Sequence, residues 1–146
     1  MFRQYLVGAK LDCRITRLLH KVHHNKNRQI FYVSFDIYEK TAVLQYNLEN
    51  KVMDLRAIYV PDKYTGKGIA RLLTETAITY AIKNNYFLFL TCTYTQKYYL
   101  CYKNSALEEL IIGPQHILDA NVSIDVRCFQ AEPDPQDFFP QERKNN

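Results

Sequence analysis

Apolar and polar positions alternate through residues 28–38, RQIFYVSFDIY, with Phe31, Val33 and Phe35 on one side and Ile30, Tyr32 and Ser34 on the other. A period of two is the pleat of a half-buried strand. Residues 40–48, KTAVLQYNL, repeat it with Ala42, Leu44 and Tyr46 on one face, so Glu39-Lys40 reads as a hairpin corner. Residues 51–60, KVMDLRAIYV, read as a third strand, ended by Pro61. Three short strands in succession predict an antiparallel meander. The period then changes. From Gly68, the residues Ile69, Leu72, Leu73, Thr76, Ala77, Tyr80 and Ala81 recur at helical spacing, and the helix stops near Asn84-Asn85. Residues 86–94, YFLFLTCTY, form a nearly continuous apolar run, the pattern of a strand buried on both faces.

Strand, helix, strand over residues 51–94 is a βαβ unit, so the strands at 51–60 and 86–94 should lie parallel. A second helix is predicted over 95–112, broken near Asn104-Ser105 and closed by Gly113-Pro114. The fold class is therefore α/β with a mixed sheet (α+β), antiparallel strands first and a parallel pair after. Residues 114–130 read as an extension holding a short helix or strand. Residues 131–146, polar and carrying Pro133, Pro135 and Pro140, read as a disordered tail.

A chain of 146 residues, 47% hydrophobic, suffices for one domain with a core and tails, placed here at residues 22–113. The formal charge of +4 suits an acidic ligand but is too small and too scattered to argue for nucleic acid. Cys13, Cys92, Cys101 and Cys128 show no CxxC spacing, and no secretory signal accompanies them; they read as reduced intracellular thiols. His20, His23 and His24 precede the first strand, are expected at the surface, and complete no zinc site, so no metal is assigned. No apolar run reaches the roughly 18 residues that span a bilayer. Residues 1–21 carry Arg3, Lys10, Arg14, Arg17 and Lys21 against Asp12. The expectation is an ordinary basic extension or surface helix of an intracellular, cytoplasmic protein, with a mitochondrial presequence as the alternative that this balance also fits.

The stretch YVPDKYTGKGIARLL, residues 59–73, sets a flexible and basic corner at the mouth of the long helix. Gly66 and Gly68 have no Cβ to hold a ligand away, and unpaired N–H groups with the helix dipole favour a pyrophosphate there. Lys63 and Lys67 add positive charge. The dinucleotide fingerprint fails for want of a third glycine, and the P-loop fails because no GK[ST] follows. A glycine pair before a helix is weak alone, since a plain turn uses the same residues.

The pattern Lys63-x-x-Gly66-x-Gly68-Ile69-Ala70, after a strand ending in Val60-Pro61, resembles motif A of the GNAT-type N-acetyltransferases. More narrowly, VMDLRAIYVPDKYTGKGIARLL followed by LTCTYTQKYY resembles the small single-domain YjdJ-like branch, over about residues 22–105. Met53-Asp54-Leu55, Val60-Pro61, the glycine pair and Cys92-x-Tyr94 fall in that branch's order. The resemblance implies an acyl-CoA N-acyltransferase fold in which the parallel strands splay apart around acetyl-CoA. It implies that Lys63, Tyr64, Thr65, Gly66, Lys67, Gly68, Ile69 and Ala70 hold the pyrophosphate. It also implies that Ile58, Tyr59 and Val60 offer backbone groups to the pantetheine arm, and that the acetyl group lies near Thr91, Cys92 and Thr93. Asn104 joins the implied cofactor set. The chain departs from the family at Lys63, usually Gln or Arg, at Ala57-Ile58, often His-Thr in the branch, and at Asn104-Ser105, where the branch tends to Asn-Pro or His-Pro.

Acetyl transfer to an amine needs a neutral nucleophile, stabilisation of the developing oxyanion and a proton for the leaving thiolate. Cys92, at the exit of a strand and the start of a helix, either accepts the acetyl group or lines the channel. Tyr98 and Tyr99 lie on the following helix. Tyr98 either protonates the thiolate or belongs to an aromatic stripe with Tyr94 and Tyr102 that packs on the sheet. Asp54 is a lone strand carboxylate, an anchor or an outside candidate for a base. Paired carboxylates and a Ser-His-Asp order are absent, which leaves hydrolase chemistry without support.

The leading expectation is an acetyl-CoA-dependent N-acetyltransferase acting on a protein lysine or small amine by direct attack, with Cys92 and Tyr98 as catalytic candidates. The alternatives are a catalytically weak acetyl-CoA-binding sensor and a basic RNA- or protein-binding domain without cofactor.

Overall fold

The structure, a computed structural model, describes residues 21–35 and 40–119. Within them a sheet runs in the order β1 (His23–Asn25), β2 (Ile30–Ser34), β3 (Thr41–Glu49), β4 (Val52–Tyr59), β5 (Phe87–Leu90), β6 (Ile111–Gly113). The first four strands are antiparallel neighbours, β5 runs parallel to β4, and β6 runs parallel to β5. The predicted meander and βαβ unit are both present. Glu39 lies outside the described residues, but Phe35 N–H donates to the Lys40 carbonyl at 3.1 Å, just beyond the Ser34–Thr41 pair.

Alternation sets which face is covered. Phe31, Val33, Ala42, Leu44, Met53, Leu55, Leu88 and Leu90 all turn inward and are buried. Helix α1 (Ile69–Lys83) lays Ile69, Leu72, Leu73, Ala77 and Ala81 among the buried core residues, as its spacing predicted; Ile78 joins them, while the predicted Thr76 and Tyr80 are only half-buried. Thr74 is buried in the same helix without a polar penalty, because its hydroxyl donates to the Ala70 carbonyl at 2.8 Å. The helix ends at Asn84 and Asn85, the latter at φ +56°. On β2 to β5, none of the described residues that point the other way is buried.

Three expectations are corrected. The run at 86–94 is a strand only over Phe87–Leu90, and it is buried on one face: Phe87 is 47% exposed. It stops because the Leu90 carbonyl accepts from Gln96 Nε2 at 2.7 Å, which turns the chain into the next helix. The segment 95–112 divides into α2 (Thr93–Tyr102), α3 (Ser105–Leu110) and strand β6, with the break at Asn104-Ser105 as expected; α4 (Gln115–Leu118) follows.

His23 and His24 do not merely precede the sheet but form its first strand; His20 lies outside the described residues. His24 stacks on Phe31 at 4.1 Å and sits 2.7 Å from the Tyr46 hydroxyl through Nε2. Burial, then the charge of Lys26, hold its pKa below the usual histidine value. Among the described residues no group of three or more His, Cys, Asp or Glu side chains could hold a metal ion, and no helix is long and apolar enough to cross a membrane.

Candidate active site

The site begins with one extra residue in β4. Gln45 pairs with Ala57, but Tyr46 pairs with Leu55, so Arg56 is inserted into the ladder as a β-bulge. The burial pattern changes there: Met53 and Leu55 are buried, Arg56 and Ala57 are both exposed, and Ile58 is half-buried. Beyond the bulge β4 stays paired with β3 as far as Tyr59 and Val43. On its other side, pairing with β5 ends at Leu55 and Leu90, followed only by the Cys92 N–H donating to the Leu55 carbonyl at 2.9 Å. The two parallel strands therefore fork after Leu55. The backbone of residues 56–59 has a strand along one edge only.

At the mouth of the fork, Pro61 leads into a 3-10 turn at Asp62–Tyr64. Gly66 and Gly68 both take φ +74°, a left-handed conformation costly for any residue with a Cβ. Gly68 is the N-cap of α1, with no side-chain cap, and the first helical bond runs from Leu72 N–H to the Gly68 carbonyl. The amides of Ile69, Ala70 and Arg71 precede that bond and are open to an anion. A cleft of about 230 Å³ lies here, lined by Val60, Tyr64, Thr65, Gly66, Gly68, Ile69, Ala70 and Tyr94. A Cβ built on Gly66 would meet nothing within 4 Å.

The basic residues are held by an aromatic ring. Tyr64 stacks on Phe35 at 3.8 Å, while Lys63 Nζ and Lys67 Nζ lie 5.6 Å and 5.5 Å from its centroid. This keeps two cations beside the glycine corner, although neither lines the cleft. Ile58 and Tyr59 stand on the free stretch of β4, with Tyr59 65% exposed.

Thr91 and Cys92 form the turn between β5 and α2, and Thr93 opens the helix. Thr91 Oγ1 donates to Asp54 Oδ1 at 2.7 Å, bridging the strands where they part. Cys92, a half-buried thiol, is the N-cap of α2, and its carbonyl accepts from Gln96 N–H at 3.1 Å. Thr93 is the exposed first residue of that helix. Asn104 is set apart: its side chain caps α3 by accepting from Leu107 N–H at 3.0 Å.

Tyr98 is buried, and its hydroxyl donates to Glu75 Oε1 at 3.0 Å, the oxygen that Arg71 Nε also reaches at 2.9 Å. Arg71 in turn lies 5.1 Å from the Tyr102 ring. Burial, then the Glu75 charge and hydrogen bond, push the Tyr98 phenol far above its usual pKa. The network ties α2 to α1. Tyr94, one turn earlier, is the tyrosine of α2 that lines the cleft. The Cys92-x-Tyr94 pair marked this tyrosine in the sequence, but the strand expected over 86–94 hid its place on the first turn of the helix.

Burial also pushes Tyr46 up to about 12, and raises Tyr80 and Tyr99. These phenols are stabilising in their neutral form. Their contribution is complete below the unfolded value of 10 and is lost as pH rises through about 12 for Tyr46. Thermal stability should therefore fall as pH rises above about 10, and Tyr46→Phe should flatten that fall. Circular dichroism melts across an alkaline series check this; equal slopes for the variant and the parent would count against it.

A forked parallel pair with two left-handed glycines at the mouth of the following helix sets this site apart from a dinucleotide-binding or P-loop fold. The family profile described as GCN5-related N-acetyl-transferase matches residues 30–108. Protein NATD1 of mouse is 37% identical over 79 residues, covering 53% of this chain and 72% of its own. Human Protein NATD1 is 37% identical over 79 residues, covering 53% of this chain and 70% of its own. The zebrafish (Danio rerio) protein of that name is 34% identical over 84 residues, covering 57% and 74%. A solution structure of a GCN5-like putative N-acetyltransferase from Staphylococcus aureus aligns with a TM-score of 0.49 at 18% identity, covering 66% of this chain and 91% of its own. The chain belongs to the GCN5-related N-acetyltransferase family.

Proposed function

We propose that the protein is an acetyl-CoA-dependent N-acetyltransferase that moves the acetyl group to an amine by direct attack within a ternary complex. The observation that carries this reading is the fork between β4 and β5 opening onto the glycine-lined cleft. The residues suit coenzyme A: the space over Gly66 is open, the first amides of α1 are uncapped, and Lys63 and Lys67 stand beside them. In this reading Tyr64 to Ala70 hold the pyrophosphate, and the one-sided backbone of Ile58, Tyr59 and Val60 receives the pantetheine arm as a further strand. Thr91, Cys92 and Thr93 border the acyl end, where acetyl-CoA supplies an activated thioester.

Cys92 lines that end and is not acylated. In this reading Tyr94, which lines the cleft from the first turn of α2, gives its proton to the leaving sulfur, whereas Tyr98 works at one remove by keeping α2 against α1 through Glu75. Cys92→Ala should keep most of the rate, and Tyr94→Phe should lower kcat more than Tyr98→Phe does. A kinetically competent acetyl-thioester on Cys92, seen by mass spectrometry before amine is added, would overturn direct transfer. With no dedicated base assigned, the rate should rise with pH as the acceptor amine loses its proton.

Ala57, exposed on the free stretch of β4, favours a second reading, since the branch the chain resembles often has His there. In that reading the domain binds acetyl-CoA with little turnover. Mass spectrometry of reactions with lysine peptides and polyamines separates the two.

A further inference from the structure

The fork has two sides of different character. On the inner side Leu55, Leu90 and the core residues of α1 are buried, which closes that approach. On the outer side no described residue of β3, β4 or β5 is buried, so an acceptor reaches the apex from there. The carboxylate that stands at that apex is Asp54. The other described acids are elsewhere: Glu75 is held by Arg71 and Tyr98, Asp62 lies in the turn at the mouth, Glu49 ends β3, Glu108 and Glu109 lie on α3, and Asp119 follows α4.

Asp54 is oriented and incompletely neutralised. Thr91 Oγ1 holds Oδ1 at 2.7 Å, while Arg56 Nη1 reaches Oδ2 only at 3.5 Å, long for a charge-assisted bond. The Arg56 side chain is 54% exposed and therefore weakly held, against 20% for Asp54. Phe89 is the register partner of Asp54 on β5 and turns a half-buried ring to the same side; Asn47 is the partner on β3. A fixed carboxylate beside an apolar ring matches a cation on an aliphatic stem.

We infer that Asp54 recognises the acceptor, taking the ammonium group of a primary alkylamine on the outward side of the fork and displacing the Arg56 contact. The inference rests on the acetyltransferase reading. It assigns Asp54 a positioning role: the bound ammonium loses its proton to solvent water before the neutral amine attacks the thioester, and Asp54 does not carry that proton.

The test uses the full chain saturated with coenzyme A, titrated calorimetrically with N-acetyl-lysine methylamide and, separately, with spermidine. The two arms distinguish a lysine side chain from a polyamine as the source of the ammonium. Asp54→Asn should weaken whichever probe binds by roughly tenfold or more. Thr91→Val, which removes the tether but keeps the charge, should weaken binding by less than Asp54→Asn does. Arg56→Ala should tighten binding, and supplies the answer if Asp54→Asn fails to fold. Unchanged affinity in Asp54→Asn, weaker binding in Arg56→Ala, or binding of neither probe to the parent would overturn the inference. So would Thr91→Val matching Asp54→Asn in both affinity and melting temperature, which would make the pair a structural staple. The melting shift with acetyl-CoA should be the same in the parent and Asp54→Asn; its absence from the parent would instead remove the acetyltransferase reading.

Discussion

Saturating acetyl-CoA should raise the melting temperature by on the order of 10 °C, and Gly66→Glu should remove the rise. A ligand that binds only the native state at a hundred times its Kd stabilises by about 2.7 kcal/mol, which in a domain of this size gives a shift of that order. Gly66 is the position where one side chain does most harm to binding and little to packing. Its φ of +74° strains any L-residue by about 1–2 kcal/mol, while the space where its Cβ would stand is open. A glutamate there puts a carboxylate into the anion site without displacing a core residue. The ligand-free variant should thus melt slightly lower and respond to acetyl-CoA not at all. No shift in the parent protein at saturation would remove the transferase and the sensor readings together.

Leu55→Ala should cost about 2–5 kcal/mol of folding stability, the largest loss expected from a change near the site. Leu55 is fully buried, in register with Tyr46 on one side and Leu90 on the other, at the last rung before the strands part. Its carbonyl keeps the bond from Cys92 N–H whatever the side chain, so the loss reads out packing alone. Urea unfolding should show a lower midpoint with an unchanged slope. A loss under about 1 kcal/mol would mean that the apex relaxes to fill the cavity and is softer than its burial indicates.

Period alone was enough to read β2, β3, β4, α1 and the parallel relation of β4 to β5, because each buries one side against a common core. The glycine corner was equally legible, since glycine takes the left-handed backbone of Gly66 and Gly68 without the strain a Cβ adds. What escaped were elements with no apolar rhythm of their own. Strand β1 is His-His-Asn, held by backbone pairing with β2 and by rings stacking on Phe31 and Tyr32. Strand β6 is three residues long and follows a helix without an intervening loop, so its apolar pair reads as one more helical turn. The run at 86–94 misled because Phe87 and Phe89 suggest burial that the outer face does not provide. The Glu75–Tyr98 bond joins residues 23 positions apart on two helices, a pairing that no local spacing encodes.

The inserted Arg56 shifts the phase of β4: before it the odd-numbered Met53 and Leu55 face the core, and after it the even-numbered Ile58 and Val60 pack against that core. The strand therefore carries two reading frames, one for holding the sheet together and one for presenting the fork, joined at a single residue. Point substitutions on either side stay within their own frame. Loss of one residue between 55 and 58 would erase the bulge with Ile58 still facing the core, whereas gain of one would turn the exposed Tyr59 inward and Ile58 out, so this short span should tolerate changes of identity far better than changes of length.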